Sequence, residues 1–230
     1  MTSGNLKLDV PPPPADARAI EALRKAIGTR PVVAAVSTHP GEETAIVEAH
    51  RRLRKNFPTL LTIIAPRHPE RGSNVVQAAG AAQFKAAVRS FSELPDATTD
   101  IYVADTLGEL GLIYRLAPIV FVGGSLIPHG GQNPIEAAKL GATIVHGPHV
   151  DNFAEIYAAL DNAHGAEPVN DTGQLVAVFA KLLSYPQART HIADNARVTV
   201  DAQSGALERT LQSLEPYLTH LELMERARHA

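Results

Sequence analysis

Residues 119–136 read Ile-Val-Phe-Val-Gly-Gly-Ser-Leu-Ile-Pro-His-Gly-Gly-Gln-Asn-Pro-Ile-Glu. The apolar run Ile119–Val122 predicts a buried strand, and the two glycine pairs after it predict a loop that a ligand can approach closely. Asn133 is a favourable N-cap, Pro134 suits the first helical position, and Glu136 occupies the capping-box position. Because free N–H groups at a helix N-terminus favour a phosphate, we expect an anionic ligand here, in the first place a nucleotide.

Apolar runs and helical patterns alternate along the rest of the chain. Further strands are predicted at Val32–Val36, Leu60–Ala65, Ile101–Ala104 and Thr143–Val145, with weaker candidates at Ala86–Val88 and Pro168–Val169. Strands that lack in–out alternation and are separated by helices indicate a parallel sheet covered on both faces. From Thr172 onward the pattern is helical only, and it ends in Leu207–Met224. We therefore predict a Rossmann-like, doubly wound α/β domain with a helical C-terminal tail.

Several polar motifs each follow a predicted strand. They are Ser37–Glu42, Pro66–Arg71, Asp105–Leu110, Gly123–Glu136 and His146–Phe153. Ligands of doubly wound sheets bind in the loops beyond the carboxyl ends of the strands. Because parallel strands end at the same edge, these five loops should share one rim and form a single site.

Composition narrows the class of protein. With 230 residues, 45% hydrophobic content and a formal net charge of −3, the chain can bury a core and is not a dedicated nucleic-acid binder. The absence of cysteine excludes disulfides, thiol catalysis and cysteine metal sites, and it fits a reducing compartment. No apolar run approaches the ~20 residues that span a bilayer, and Met1–Asn5 does not resemble a signal peptide. The sequence predicts a soluble, cytoplasmic chain that is not inserted into the membrane.

Histidines are frequent in the predicted rim loops, at positions His39, His68, His129, His146 and His149. They lack the i, i+4 pairing of zinc enzymes, and there is no Asp-x-Asp pair, so we predict no metal and no cofactor. His39 and His129 are expected to donate hydrogen bonds to anionic groups of the ligand, and His146 to be a strand-end histidine with satisfied hydrogen bonds. Ser125 lacks a Gly-x-Ser-x-Gly elbow, which excludes a serine hydrolase.

Several motifs together carry a resemblance to a known family. They are Gly4-Asn5-Leu6-Lys7, Ser37–Glu42, Pro66–Arg71, Asp105–Leu110, Phe121–Leu126, His129–Glu136 and Gly147–Phe153. In this order they resemble the nucleotide-sugar half of the 3-deoxy-D-manno-octulosonic acid (Kdo) transferases, which are bacterial glycosyltransferases of the two-domain GT-B architecture. The chain departs from the family pattern at Gln132, where histidine is usual, and at Ala137, where proline is common.

The resemblance implies a function and a set of site residues. Kdo transferases move Kdo from CMP-Kdo to a lipid A precursor in lipopolysaccharide biosynthesis. Residues that would contact the donor are Pro66, Arg67, Leu107, Gly108, Glu109, Gly124, Ser125, Asn133, Pro134, Ile135 and Glu136. Further candidates from the same loops are Thr38, His39, Glu42, His68, Arg71 and His129.

The resemblance also implies individual roles. Glu136 would accept hydrogen bonds from the ribose hydroxyls, although a capping-box role with Asn133 is open as an alternative or a shared role. Lys7 would stabilise negative charge on the departing CMP phosphate and is the one catalytic candidate, because the family's catalytic base lies in the other half. Arg71 has the alternative of merely pairing with its neighbour Glu70.

Domain organisation follows from the same resemblance. Residues 1–15, with the stiff Pro11–Pro14 run, are predicted to be a linker from a missing N-terminal acceptor domain, and residues 16–230 the donor-binding domain. The expected partners are CMP-Kdo or CMP, with lipid A precursor bound only through the missing half. We expect this fragment to transfer little alone, and the full enzyme to act at the cytoplasmic face of the bacterial inner membrane. A stand-alone nucleotide-binding or regulatory module, or another nucleotide-sugar enzyme such as a UDP-sugar epimerase or transferase, remains an alternative.

Overall fold

The structure is a computed structural model, and it describes residues 6–215 and 217. The strands in this part of the chain are β1 (Val32–Thr38), β2 (Leu61–Pro66), β3 (Ala86–Val88), β4 (Ile101–Val103), β5 (Ile119–Val122), β6 (Thr143–His146) and β7 (Ala166–Pro168). The helices are α1 (Ala17–Ile27), α2 (Glu42–Leu53), α3 (Gly72–Ala81), α4 (Leu110–Leu116), α5 (Ile135–Lys139), α6 (Ala154–Asn162), α7 (Thr172–Ser184) and α8 (Pro186–Ala202). Residues 206–215 are also helical. Short 3-10 turns cover Leu6–Leu8, Pro69–Arg71, Arg89–Phe91 and Asp151–Phe153.

The seven strands form one sheet in the order β3-β4-β2-β1-β5-β6-β7, and every pair is parallel. β1 is central, with β2 on one side and β5 on the other. The chain therefore fills one half of the sheet before it crosses to the other, which is the doubly wound topology that the sequence predicts. The crevice at such a switch point, here between the carboxyl ends of β1 and β5, is where ligands bind in open α/β sheets.

The apolar strands are buried because helices cover both faces of the sheet. Along β1, Val32, Ala34 and Val36 belong to the core under α1, α4 and α5. Val33 and Ala35 belong to the opposite core, under α2, α3 and α7. Side chains of a strand point alternately to the two faces, so a strand covered on both needs apolar residues throughout. This explains why the strands read as unbroken apolar runs.

The predicted strand positions agree with the structure, with shifts at the ends. Ile119–Val122 and Ala86–Val88 have the predicted bounds. The last strand is Ala166–Pro168 instead of Pro168–Val169, because Ala166 is the buried residue that pairs with Ile144 of β6. The tail predicted at Leu207–Met224 is helical through residue 215, and most of the remainder lies outside the described residues.

The segment before α1 is attached to the domain. Leu8 is buried in the core on the face of the sheet that α1, α4 and α5 cover. The Asp9 carboxylate accepts hydrogen bonds from the backbone N–H groups of Gly205 and Leu207, where the helix of residues 206–215 begins. The Lys139 ammonium donates to two backbone carbonyls of the same segment. The described part of the predicted linker therefore packs on the domain that follows it. Among the described helices, none has both the length and the apolarity to cross a membrane.

Candidate functional site

The rim at the carboxyl ends of the strands brings together the five motif loops, as the sequence predicts. At its centre the loop after β5 touches the end of β1, backbone against backbone. Gly123 donates its N–H to the Val36 carbonyl at 2.8 Å. A Cβ atom on Gly123 would lie 2.6 Å from the Ser37 carbonyl oxygen, so only glycine allows this approach. The centre of the rim is therefore the β1–β5 switch point.

The Glu42 carboxylate, at the first residue of α2, reaches across this switch point and is 1% exposed. It accepts backbone N–H groups from His39 at 3.0 Å, Gly124 at 2.7 Å, Ser125 at 3.0 Å and Leu126 at 3.0 Å. The N–H groups of Gly124 and Ser125 are therefore bound within the protein and are not free to meet a phosphate. A protein carboxylate occupies that anion position, and Glu42 itself is not open to a ligand. The sequence feature that could have indicated this contact is the pair of acidic residues in the first turn of α2.

Ser125 has a structural role that leaves it no free hydrogen-bonding group. Its hydroxyl donates to the Val122 carbonyl at 2.6 Å and accepts the Gly147 N–H at 2.8 Å, and the side chain is fully buried. Its carbonyl accepts the N–H of His149 at 3.0 Å. The expected direct contact between Ser125 and the donor is therefore not presented by this geometry. Ser125 instead ties the ends of β5 and β6 together.

Three rim histidines form a cluster around His39. The His39 ring lies 3.8 Å from the His129 ring and 6.2 Å from the His68 ring, and its Nε2 is 3.3 Å from the Gln132 amide nitrogen. Burial, together with the neighbouring His129, His68, Arg67 and Arg71, lowers the pKa of His39 from 6.5 to about 4. His39 is thus neutral near pH 7 and offers a ligand one N–H at most. The described residues contain no group of three or more His, Cys, Asp or Glu arranged to hold a metal ion.

His146 has the satisfied environment that was predicted for it. Its Nδ1 lies 2.7 Å from the Gly147 carbonyl oxygen, and its Nε2 lies 3.0 Å from the Asp161 carboxylate. The side chain is buried. His146 therefore serves the end of β6 and does not face the rim.

The loop after β2 carries two arginines with different surroundings. Arg71 donates two hydrogen bonds of 3.2 Å to the buried carboxylate of Glu43, so its suggested pairing with Glu70 is wrong. Glu70 lies instead 4.0 Å from His68. The Arg67 guanidinium is exposed, and no described residue accepts a hydrogen bond from it or pairs with it. Of the two, Arg67 is the one free to meet an anionic ligand.

Thr38 and Pro66 end the two central strands and are both buried. The Thr38 hydroxyl is 3.5 Å from the Glu43 carboxylate, which places it in the Arg71–Glu43 interaction and away from the surface. Pro134 and Ile135 are also buried. These predicted site residues shape the rim without presenting side chains to it.

The loop after β4 is held by Glu109. Its carboxylate accepts two hydrogen bonds from Arg89, at 2.8 and 3.0 Å, and a further one from the Thr106 hydroxyl. The hydrogen bonds from Arg89 hold the pKa of Glu109 below its usual value. At the tip, Leu107 is 77% exposed and Gly108 has a φ of +77°. Leu107 and Gly108 are therefore accessible, whereas Glu109 is engaged.

Asp105, in the same loop, is held by a residue that follows β3. It does not cap α4, which begins at Leu110 with no side-chain cap. Asp105 accepts hydrogen bonds from the N–H and the hydroxyl of Ser90, at 2.9 and 2.7 Å. The hydrogen-bond donor for Asp105 comes from the loop after β3. That loop is distant in the chain, and no sequence pattern indicated the contact.

Glu136 stands at the start of α5 with few protein partners. α5 begins at Ile135, and the Asn133 side chain accepts the Ile135 N–H at 3.0 Å, although Pro134 occupies the cap position. Burial raises the pKa of Glu136, and a hydrogen bond with the Asn133 side chain acts against that shift. No described cation forms an ion pair with Glu136. This half-buried carboxylate therefore has acceptor capacity to spare.

Lys7 lies at the same end of the molecule. Its Nζ is 4.7 Å from the centre of the Phe153 ring, which belongs to the loop after β6. A cation over an aromatic face is held by the negative charge of the ring surface. The two side chains thus place the 3-10 turn Leu6–Leu8 beside the rim.

Comparison with known proteins was made by sequence and by structure. No protein-family model matches the chain. The 3-deoxy-D-manno-octulosonic acid transferases of Haemophilus influenzae and Bordetella pertussis are 37% and 36% identical to it, each over 94% of the chain and 51% of the relative. The chain thus spans about half the length of these curated relatives. The solved C-terminal CMP-Kdo binding domain of WaaA from Acinetobacter baumannii is 32% identical, with a TM-score of 0.76 over 80% of this chain and 96% of that domain.

Proposed function

Because the chain belongs to the 3-deoxy-D-manno-octulosonic acid (Kdo) transferase family, we propose that it is the donor-binding half of such an enzyme and binds CMP-Kdo on its rim. The relative solved as a CMP-Kdo binding domain supports this, because it is matched over 96% of its length. The activity of the whole enzyme is part of the proposal: transfer of Kdo to a lipid A precursor, in lipopolysaccharide synthesis at the cytoplasmic face of the inner membrane.

The observation that carries the proposal is the pair of unpaired charged groups on one rim. Among the described residues, the half-buried carboxylate of Glu136 has no cationic partner, and the exposed guanidinium of Arg67 has no acidic one. A nucleotide sugar offers hydroxyls to a carboxylate and anionic groups to a guanidinium. We assign Glu136 to the ribose hydroxyls of CMP and Arg67 to the phosphate or to the Kdo carboxylate.

The neighbouring residues complete the proposed site. The exposed turn at Leu107 and Gly108 lets a ligand approach the backbone closely. His68 and His129, both exposed, offer further hydrogen-bond donors. Gly124 acts indirectly, because its N–H group holds Glu42 and with it the shape of the loop.

Lys7 is assigned to the chemical step and not to binding. As the bond between Kdo and CMP breaks, negative charge grows on the departing phosphate, and a cation placed nearby stabilises the transition state more than the ground state. The position of Lys7 beside Phe153 at the edge of the rim supports this role. The base that activates the acceptor belongs to the other half of the enzyme in this proposal.

Calorimetric titration of the purified chain with CMP, UMP, AMP and UDP tests the nucleotide assignment. We expect CMP to bind more tightly than the other three, with a dissociation constant between about 1 μM and 1 mM, because one side of the cleft is contributed by the other half. UDP binding that equals or exceeds CMP binding would contradict the proposal and point to a UDP-sugar enzyme.

A further inference from the structure

A recess of about 410 Å³ opens at the amino-terminal end of the sheet, on the side opposite the rim. It lies where α1, α4 and α7 end and α8 begins. Four arginines supply its charged lining: Arg24, Arg30, Arg115 and Arg189. The remaining lining residues are Ile27, Gly28, Pro31, Val32, Leu116, Pro118 and Leu183. Within the described residues, no aspartate or glutamate lines the recess.

Two of these arginines are held in place by backbone carbonyls. Arg30 donates to the carbonyls of Thr59 and Asp96, at 2.8 and 2.7 Å, and to others of the same loops. Arg115 donates to the carbonyls of Pro13 and Gly111, at 2.9 and 2.8 Å. Arg30 makes four such hydrogen bonds and lies near the carboxylates of Asp96 and Asp100, so it mainly shapes the wall of the recess. Arg115 uses only its Nη1 group in these bonds and keeps other N–H groups for a ligand.

Arg24 and Arg115 also have a structural explanation that does not need a ligand. Both lie in the last turn of a helix, α1 and α4 respectively, where a cation interacts favourably with the helix dipole. Arg24 is exposed, and its guanidinium makes one long contact of 3.4 Å, to the Arg115 carbonyl. The dipole therefore accounts for the presence of these two arginines.

Arg189 does not have that explanation. It lies near the start of α8, where the helix dipole disfavours a cation. The Thr143 hydroxyl donates to its carbonyl at 2.9 Å and so fixes this turn under the sheet. No described residue accepts a hydrogen bond from its guanidinium or pairs with it, and burial lowers its pKa with no charged neighbour acting against the shift. By contrast, Arg197 on the same helix lies 3.9 Å from Asp194 and 4.0 Å from Asp201.

We propose that this four-arginine recess is an anion site that binds a small phosphorylated molecule, separate from the rim. Guanidinium groups match the geometry of phosphate oxygens and bind them in a bidentate manner. The apolar lining residues would contact the carbon part of such a ligand, and a volume of about 410 Å³ is in the size range of small-molecule sites. The recessed shape fits a soluble anion better than the flat surface of a membrane.

Titration with pyrophosphate tests the site, with an excess of CMP present to occupy the rim. We expect pyrophosphate binding to persist under CMP, and Arg189→Gln to weaken it by about tenfold or more, the typical effect of losing a charged hydrogen bond. The matched control Arg197→Gln on the same helix should leave the affinity unchanged. Arg67→Gln on the rim should also leave it unchanged, whether or not CMP binds, which separates this test from that of the donor site.

Backbone amide chemical shifts of the unsubstituted protein provide a second measurement that does not depend on the folding of a variant. We expect pyrophosphate to shift the amides of Gly28, Val32 and Arg189. Shifts confined to the rim loops, or pyrophosphate binding that survives Arg189→Gln, would overturn the proposal. Binding of phosphatidylglycerol vesicles through Arg189 without any binding of pyrophosphate would also overturn it, in favour of a membrane contact.

Discussion

At the scale of single residues, two rim carboxylates differ in what surrounds them. Glu42 is fully buried and accepts several backbone N–H groups, so its hydrogen-bonding capacity is used within the protein. Glu136 is half-buried, and its hydrogen-bond partner in the protein is the Asn133 side chain. A carboxylate that is partly desolvated and underused is suited to bind ligand hydroxyls. The difference between these two acids is the basis for the next prediction.

Glu136→Gln should weaken CMP binding by about 1–3 kcal/mol, the effect of losing charged hydrogen bonds. The fold should survive, because glutamine is close in shape and the Ile135 N–H keeps its bond to Asn133. Calorimetry with CMP and a thermal unfolding curve check both parts. Glu155→Gln, an exposed acid on α6, is the matched control and should bind CMP normally. Unchanged CMP affinity in Glu136→Gln would remove the ribose role.

At the scale of elements, the rim depends on contacts between loops that are far apart in the chain. The first turn of α2 is joined to the loop after β5 through Glu42, and to the loop after β2 through Glu43 and Arg71. The loop after β3 is joined to the loop after β4 through Arg89 and Glu109. These ionic and hydrogen-bonded connections hold the site in place, whereas the two apolar cores hold the sheet.

Glu42→Gln should destabilise the domain by about 1.5–3 kcal/mol or more, because an amide replaces one acceptor oxygen by a donor and leaves buried N–H groups unpaired. Urea denaturation monitored by circular dichroism measures the free energy of unfolding. Glu48→Gln on the exposed side of the same helix should have no measurable effect. If both variants unfold at the same urea concentration, the proposed structural role of Glu42 is incorrect.

At the scale of the whole molecule, two buried histidines, His39 and His50, make stability depend on pH. His50 on α2 is 1% exposed and contacts Thr62 of β2 through Nδ1 at 2.8 Å, while its Nε2 has no hydrogen-bond partner among the described residues. Burial, assisted by Arg54 and Arg30, lowers its pKa from 6.5 to about 4, and Asp100 acts in the opposite direction. The unfolded chain therefore binds a proton between these two pH values that the folded protein does not.

The free energy of unfolding should consequently be highest above pH 6.5 and decrease as the pH falls toward about 4. A shift from 6.5 to about 4 corresponds to roughly 3 kcal/mol for this group. Denaturant titrations at several values across that pH range measure the slope. His50→Gln removes one of the two titrating groups and should reduce the slope, whereas His164→Gln, in the turn after α6, should not. A slope that is unchanged in His50→Gln would assign the pH dependence to other groups.

The alternation of apolar runs with helical patterns was sufficient to predict the parallel sheet and the shared rim. A strand covered on both faces must be apolar throughout, and parallel strands end at one edge, so both features follow from local sequence. Glu42, Glu43 and Arg89 could not be placed in this way. Their partners lie tens of residues away, and only the folded chain shows that Glu42 occupies the anion position of the glycine loop. The sequence around Arg189 likewise did not indicate a binding role, because the recess that Arg189 lines forms only where four separate helices meet.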